Sequence, residues 1–268
     1  MPNAISVKVQ AAVRYGMVHG ITPISPLYIV NEYPKSGGTW VGQMVSRASG
    51  LPFPRNCFPA LKTSLMHGHY LRPWGMDKVL IVWRDGRDMM VSWYHHTLFI
   101  NESGRNAPVV NELRSRLQFA DYEDVRANLP AFIEHCFTEY RPMSFSWPQF
   151  VDSWHGRDHA TYVRYEDLRV DGANELRRIV AELTGKTIAI ETAAEIVEEF
   201  SFARQAGRKP GQEDKNSFLR KGIVGDWRNQ FSPEACQVFD HYAGDALIQL
   251  GYETDHSWVN AAPMASSV

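Results

Sequence analysis

Leu27-Tyr28-Ile29-Val30-Asn31-Glu32-Tyr33-Pro34-Lys35-Ser36-Gly37-Gly38-Thr39-Trp40 opens as an apolar run and closes at the start of a helical pattern. Its first four residues predict a buried strand, and from Thr39 to about Ser49 the apolar residues Val41, Met44, Val45 and Ala48 fall at helical spacing. The loop between them therefore ends at a helix N-terminus, where free backbone N–H groups and the positive end of the macrodipole favour an anion. Gly37 and Gly38 let the main chain approach it closely, and Lys35 adds a mobile positive charge. This is not the Walker A order, G-x-x-x-x-G-K-S/T, because the lysine precedes both glycines. By itself, a lysine beside glycines in such a turn also reads as an ordinary loop.

A second strand-to-helix junction lies downstream. Val79-Leu80-Ile81-Val82-Trp83 is a buried-strand run ending in Arg84-Asp85-Gly86-Arg87-Asp88, with Asp88 placed as an acid in the first helical turn and Ser92 one turn further on. Ligands in open α/β sheets bind at the carboxyl ends of strands, and an arginine fork at that edge suits a phosphate monoester. A surface ion pair from Arg84 to Asp85 or Asp88 is the plainer alternative. A third polar stretch, Arg220-Lys221-Gly222-Ile223-Val224-Gly225-Asp226-Trp227, sets two cations beside a glycine and reads either as a phosphate clasp or as an exposed basic turn.

Taken together, these stretches resemble sulfotransferases that use 3′-phosphoadenosine 5′-phosphosulfate (PAPS). Tyr33 to Trp40 matches the family's 5′-phosphosulfate loop, YPKSGTTW, at seven of eight positions, with Gly38 replacing a threonine while keeping its backbone donor. Arg84 and Ser92 keep the family's separation for holding the 3′-phosphate, and Arg220 to Phe231 is similar to its late RKGxxGDWKNxF signature. The resemblance implies PAPS as sulfuryl donor, PAP as product and no metal. It assigns Lys35, Ser36, Gly37, Gly38 and Thr39 to the 5′ end of the donor, and Arg84, Ser92, Arg220, Lys221 and Gly222 to its phosphate contacts. Trp40, Tyr165 and Phe202 fall at the adenine, although Phe202 reads equally well as core. Ser92 would also restrain Lys35 until an acceptor arrives.

The resemblance places the general base in Leu65-Met66-His67-Gly68-His69, near a competing echo of the motif at Lys62-Thr63-Ser64. His69 takes the catalytic position, ahead of His67, which stands where the family has a lysine that steadies the sulfuryl group. An imidazole with an ordinary pKa of about 6.5 suits proton removal near neutrality. A metal site on the two histidines, with His95 and His96, is set aside because two histidines without Cys-x-x-Cys spacing are too few for a structural zinc.

The expected fold is α/β: a P-loop-like parallel β-sheet flanked by helices on both faces, as a single domain over 1–268. Strand-like runs at 27–30, 79–83 and 161–164 alternate with helical patterns such as 172–183 and 233–250, and 44% hydrophobic content in 268 residues suffices for a large core. Glycine and proline punctuation over about 97–155 predicts loops and short helices as a cap over the acceptor, with 261–268 a flexible tail. Phe53, Phe58, Trp74, Phe99, Phe145 and Trp147 are candidates for an apolar acceptor pocket, or for ordinary packing. A net charge of −2 gives no general preference for nucleic acid. No transmembrane segment is expected, and Cys57, Cys136 and Cys236 read as reduced thiols of a cytoplasmic protein.

The resemblance implies a small-molecule, sugar or lipid acceptor offering a hydroxyl or amine, with phenol, alcohol, sugar, lipid, amine and peptide all open, and a homodimer stays open. Two other classes remain: a P-loop nucleotide kinase or NTPase, which should carry its lysine after the glycines and need magnesium, and a catalytically silent PAP-binding protein.

Overall fold

Strand β1 (Leu27–Glu32) is buried at all six positions, the pattern of a strand covered on both faces. It lies between β2 (Ser64–Gly68) and β3 (Val79–Trp83), and β4 (Ala160–Arg164) pairs with β3, giving the order β2-β1-β3-β4. Every pairing is parallel, with Leu27 opposite Ser64, Ile29 opposite Val79, and Val79 opposite Ala160. Parallel neighbours require crossover connections, so each strand end turns into a helix or a long return. The structure is a computed structural model that describes residues 4–20, 27–54, 63–100, 104–139, 144–217 and 219–260. Cys57, Phe58, Lys62 and the segment 261–268 lie outside them.

By internal packing the chain divides into two compact units, residues 1–84 with 156–201 and residues 85–155 with 202–268. The first holds the sheet, with α1 (Ala4–Gly20) and α2 (Gly38–Ser49). One face of the sheet offers Tyr28, Val30, Leu80, Val82 and Val163 to Val41, Met44 and Val45 of α2, and to helices of the same unit that follow β4.

The second unit begins with α3 (Gly86–Leu98), followed by α4 (Ala107–Arg116), α5 (Val125–Thr138) and α6 (Trp147–Trp154). After β4 the chain adds α7 (Tyr165–Val170), α8 (Gly172–Thr184) and α9 (Ile190–Glu199) to the first unit. Leu176, Ile179 and Val180 of α8 and Ile196 of α9 join the sheet core there. The chain then returns to the second unit with α10 (Phe202–Ala206), α11 (Trp227–Gln230) and α12 (Pro233–Gln249).

The segment expected to be loops and short helices contains a 14-residue helix, α5, which runs through Pro130. An interior proline costs a helix about 3 kcal/mol, and here Leu129, Phe132, Ile133 and Phe137 bury the face that offsets it. Pro108 and Pro148 instead begin α4 and α6, where the missing N–H has no helical partner to lose. Trp147 and Phe145 are core residues of this unit rather than an open pocket wall. Gly86 is required by packing: a Cβ there would lie 2.7 Å from the Trp147 ring. Cys136 and Cys236 are free and buried, and no helix among the described residues is long and apolar enough to cross a membrane.

Candidate active site

The turn from β1 to α2 holds two residues in left-handed backbone, Lys35 at φ 74° and Gly37 at φ 99°. Lys35 is the one non-glycine in that region among the described residues, a conformation that costs about 1–3 kcal/mol and collects at ligand sites. Within the turn Ser36 N–H donates to the Tyr33 carbonyl at 3.2 Å, and alternating backbone conformations of this kind are the ones that gather main-chain N–H groups around an anion. Gly37 gives α2 no side-chain cap, which suits a helix end that receives an anion.

Side chains of the first unit brace this turn. The Arg84 Nη1 donates to the Lys35 carbonyl at 2.9 Å, and its guanidinium lies 4.6 Å from the Tyr165 ring centre. Tyr165 rests against Gly37, where a Cβ would come within 2.8 Å of the ring. Trp40 donates from Nε1 to the Phe200 carbonyl at 2.7 Å and meets Tyr165 edge-on, with ring centres 5.4 Å apart. The sequence-predicted residues Lys35 to Trp40, Arg84 and Tyr165 thus come together.

His67 and His69 are brought together as well, through a residue the sequence reading passed over. Glu32, buried at the end of β1, accepts from Gly38 N–H on one carboxylate oxygen at 2.5 Å and from His67 Nε2 on the other at 2.9 Å. Its backbone carbonyl accepts from His69 Nδ1 at 2.9 Å. A carbonyl oxygen can only accept, so the His69 proton sits on Nδ1 and the lone pair of the neutral ring is on Nε2. Burial, and next the charge of His67, push the His69 pKa below its ordinary value, against the opposing pull of Glu32. Burial would raise the Glu32 carboxyl, but its bonds and charges with His67, His69 and Gly38 hold it below the ordinary range. Asn31 fixes the same corner, donating to the Tyr70 carbonyl at 2.9 Å and accepting from Tyr70 N–H at 2.7 Å. Phe53 meets the His67 ring edge-on, with centres 6.5 Å apart.

One expectation is corrected here: the backbone donor of Gly38 is not left for a phosphate, because Glu32 takes it. The same contact accounts for the missing threonine, since a Cβ at position 38 would lie 2.7 Å from the Glu32 carboxyl carbon. Gly38→Thr is therefore expected to destabilise the protein by about 1–3 kcal/mol in denaturant unfolding. Adding Glu32→Ala should recover most of that loss, and strictly additive costs would place the clash elsewhere.

Glu32, His67 and His69 place ligand-type atoms within 4.8 Å of one another. The hydrogen bonds above account for this grouping, because each carboxylate oxygen and one nitrogen of each ring already has a protein partner. His95 belongs to the second unit and is buried and neutral. Burial, followed by the charges of Arg220, Lys215 and Lys221, pushes its pKa down to about 3.

In the second unit, Ser92 and His96 are the half-exposed positions of an otherwise buried α3. Asp88 in the first turn of that helix accepts from the backbone N–H groups of Gly225 at 2.6 Å and Trp227 at 2.9 Å, joining the second motif to the third. Arg220 pairs with Glu213 and, at 2.7 Å, with Asp226, which also takes Lys221 at 2.6 Å. Burial alone would raise the Asp226 carboxyl, but the bonds from Lys221 and Arg220 hold it below the usual carboxylate range. Gly222, at φ 65°, lies under the Phe202 ring, where a Cβ would come within 2.3 Å. Phe202 and Gly222 therefore meet although 20 residues separate them, and the clasp is an internally braced turn rather than a loose basic loop.

A parallel sheet with a left-handed turn at the β1–α2 junction, and two oriented histidines beside it, has P-loop-like architecture, in which the strand-to-helix turn is the place for an anionic group. The model of the sulfotransferase domain family matches residues 75–251, well over half of the chain, and the chain belongs to that family. It is similar to sulfotransferase 1A1 of Bos taurus, 25% identical over 263 residues that cover 80% of this chain and 81% of the relative. Human sulfotransferase 1C2 is 26% identical, over 79% of this chain and 80% of its own. Among solved structures, mouse sulfotransferase SULT7A1 complexed with PAP shares the fold with a TM-score of 0.62 at 20% identity, covering 87% of each chain. Retinol dehydratase complexed with retinol and PAP does so with a TM-score of 0.54 at 18% identity, covering 86% of this chain and 84% of that one. The chemistry of the family is sulfuryl transfer from PAPS, and the kinase or NTPase reading is not favoured.

Proposed function

We propose that this chain transfers the sulfuryl group of PAPS to a hydroxyl or amine of a small-molecule acceptor, with His69 as general base. The observation that carries the reading is the His69 ring itself: Nδ1 is tied to the Glu32 carbonyl, which leaves Nε2 to take the acceptor's proton. When bound, PAPS supplies an activated sulfuryl group whose leaving group is a phosphate, and PAP remains. Ser36 and the N–H groups of Gly37 and Thr39 hold the 5′ end at the start of α2, and Lys35 meets the negative charge that develops there. His67, in the lysine's place, faces the transferred group. Arg84 and Ser92, with Arg220, Lys221 and Gly222, bind the donor's phosphates, while Trp40, Tyr165 and Phe202 hold its base.

Transfer from labelled PAPS to a broad panel of phenols, alcohols, sugars, lipids and amines tests the function, run beside Lys35→Ala. Binding of PAP with transfer to no acceptor would select the silent binder instead. Arg84→Ala is expected to weaken PAP binding by about 10- to 150-fold in titration calorimetry, the loss of one charge-assisted contact of about 1.5–3 kcal/mol. An unchanged Kd would remove Arg84 from the donor site. The proposal also treats the chain as one transferase domain with 97–155 as the acceptor cap, and places it in the cytoplasm. Its likeness to the sulfotransferases above supports this, fractionation tests the location, and light scattering tests the homodimer.

A further inference from the structure

Glu32 touches three elements of the site at once. Its carboxylate joins the first N–H of α2 to the His67 ring, its carbonyl sets the His69 proton, and its side chain is 5% exposed. A carboxylate on a buried strand must have partners, and this one takes one bond from the loop, at Gly38 N–H, and one from His67. Two departures from the family pattern, glycine at 38 and histidine at 67, both contact it.

We propose that the Glu32 carboxylate is a positioning group for sulfuryl transfer: it clamps the His67 ring, which stands where the family has a lysine. The inference rests on the transferase reading above and concerns the Glu32 side chain, to which that reading assigns no role. The carboxylate accepts the His67 Nε2 proton, which fixes both the ring plane and the nitrogen that bears hydrogen. An amide cannot do the same. If its oxygen faces Gly38 N–H, its NH2 group meets His67 Nε2 and forces that nitrogen to accept. If it is turned over, two donors face each other at Gly38. A lysine at 67 would carry its charge and three donors without such help.

The test is a double-mutant cycle of Glu32→Gln with His67→Lys, reading kcat and the donor KM. In the wild-type background E32Q is expected to lower kcat by about 10²-fold, the effect of misplacing one catalytic contact, with little change in donor KM. In the H67K background the same change is expected to cost under about threefold. Equal losses in the two backgrounds would overturn the proposal, since a purely structural Glu32 does not depend on what occupies position 67.

Should E32Q fold poorly by thermal melting, long-range ¹⁵N–¹H spectra of histidine-labelled wild-type protein decide, with His67→Asn and His69→Asn used for assignment. The expected result is a proton on Nε2 of His67 and on Nδ1 of His69. A bare Nε2 on His67 would overturn the clamp. Wild-type protein that fails to transfer while showing the expected spectra would sink the transferase reading and leave the clamp standing.

Discussion

Sulfuryl transfer is expected to fall by about 10²- to 10⁴-fold in His69→Ala, the range of a positioned general base. PAP should still bind within about threefold of wild type, because His69 is tied to the β1 carbonyl and not to the phosphate loop. The pH profile makes the assignment sharper. Protonation of Nε2 removes the lone pair, so the rate is lost as pH falls through the His69 pKa. Burial, and after it the neighbouring His67, hold that pKa below 6.5. The acid limb of kcat/KM is therefore expected below pH 6.5, and full activity should persist where an exposed histidine would already be half protonated. His67→Ala should lower kcat while leaving an acid limb in place. An acid limb at or above pH 6.5, or wild-type turnover in His69→Ala, would move the base to another residue.

The parts of this molecule that were legible in its sequence are those whose physics is local. Strand runs at 27–30 and 79–83 match β1 and β3 because near-continuous apolar residues mark doubly covered parallel strands, and the run at 161–164 matches β4, an edge strand whose burial alternates. The helical pattern at 233–250 matches α12, with Ser232 capping it by accepting from Ala235 N–H. Strand β2 has no such signature, since Ser64-Leu65-Met66-His67-Gly68 lies at an edge and lacks β-branched residues. Resemblance, not periodicity, located its histidines. Glu32 was missed for another reason: one charge at the end of an apolar run looks like the strand's exit into solvent. Its meaning depends on His67, a partner 35 residues away. A buried-strand pattern interrupted by a carboxylate directly before an anion loop was the available signal. The Asp88 bonds to Gly225 and Trp227 span 137 and 139 residues, a distance over which no spacing rule operates.

Arg87→Met is expected to be the most destabilising single change outside the hydrophobic core, lowering unfolding free energy by about 3–5 kcal/mol. The sequence presents Arg87 as one of a run of charges, yet its side chain is 1% exposed. Asp85 accepts from its Nε at 2.9 Å and from one terminal nitrogen at 2.8 Å, while Glu253 accepts from the other at 2.5 Å. Trp227 and Trp258 present their rings to the guanidinium at 3.8 and 4.7 Å from the ring centres. Burial works against the charge, but the two carboxylates more than restore it and raise the Arg87 pKa. Methionine can fill much of the space between the indoles but removes the cation that Asp85 and Glu253 face, and a carboxylate held out of water that loses its cation carries a desolvation penalty. The unfolding midpoint in urea should shift down with an unchanged m-value. Arg87→Met combined with Asp85→Asn and Glu253→Gln should recover part of the loss, because the stranded charges are then gone. A single-variant loss under about 1 kcal/mol would show that the ion cluster is incidental to the stability of this unit.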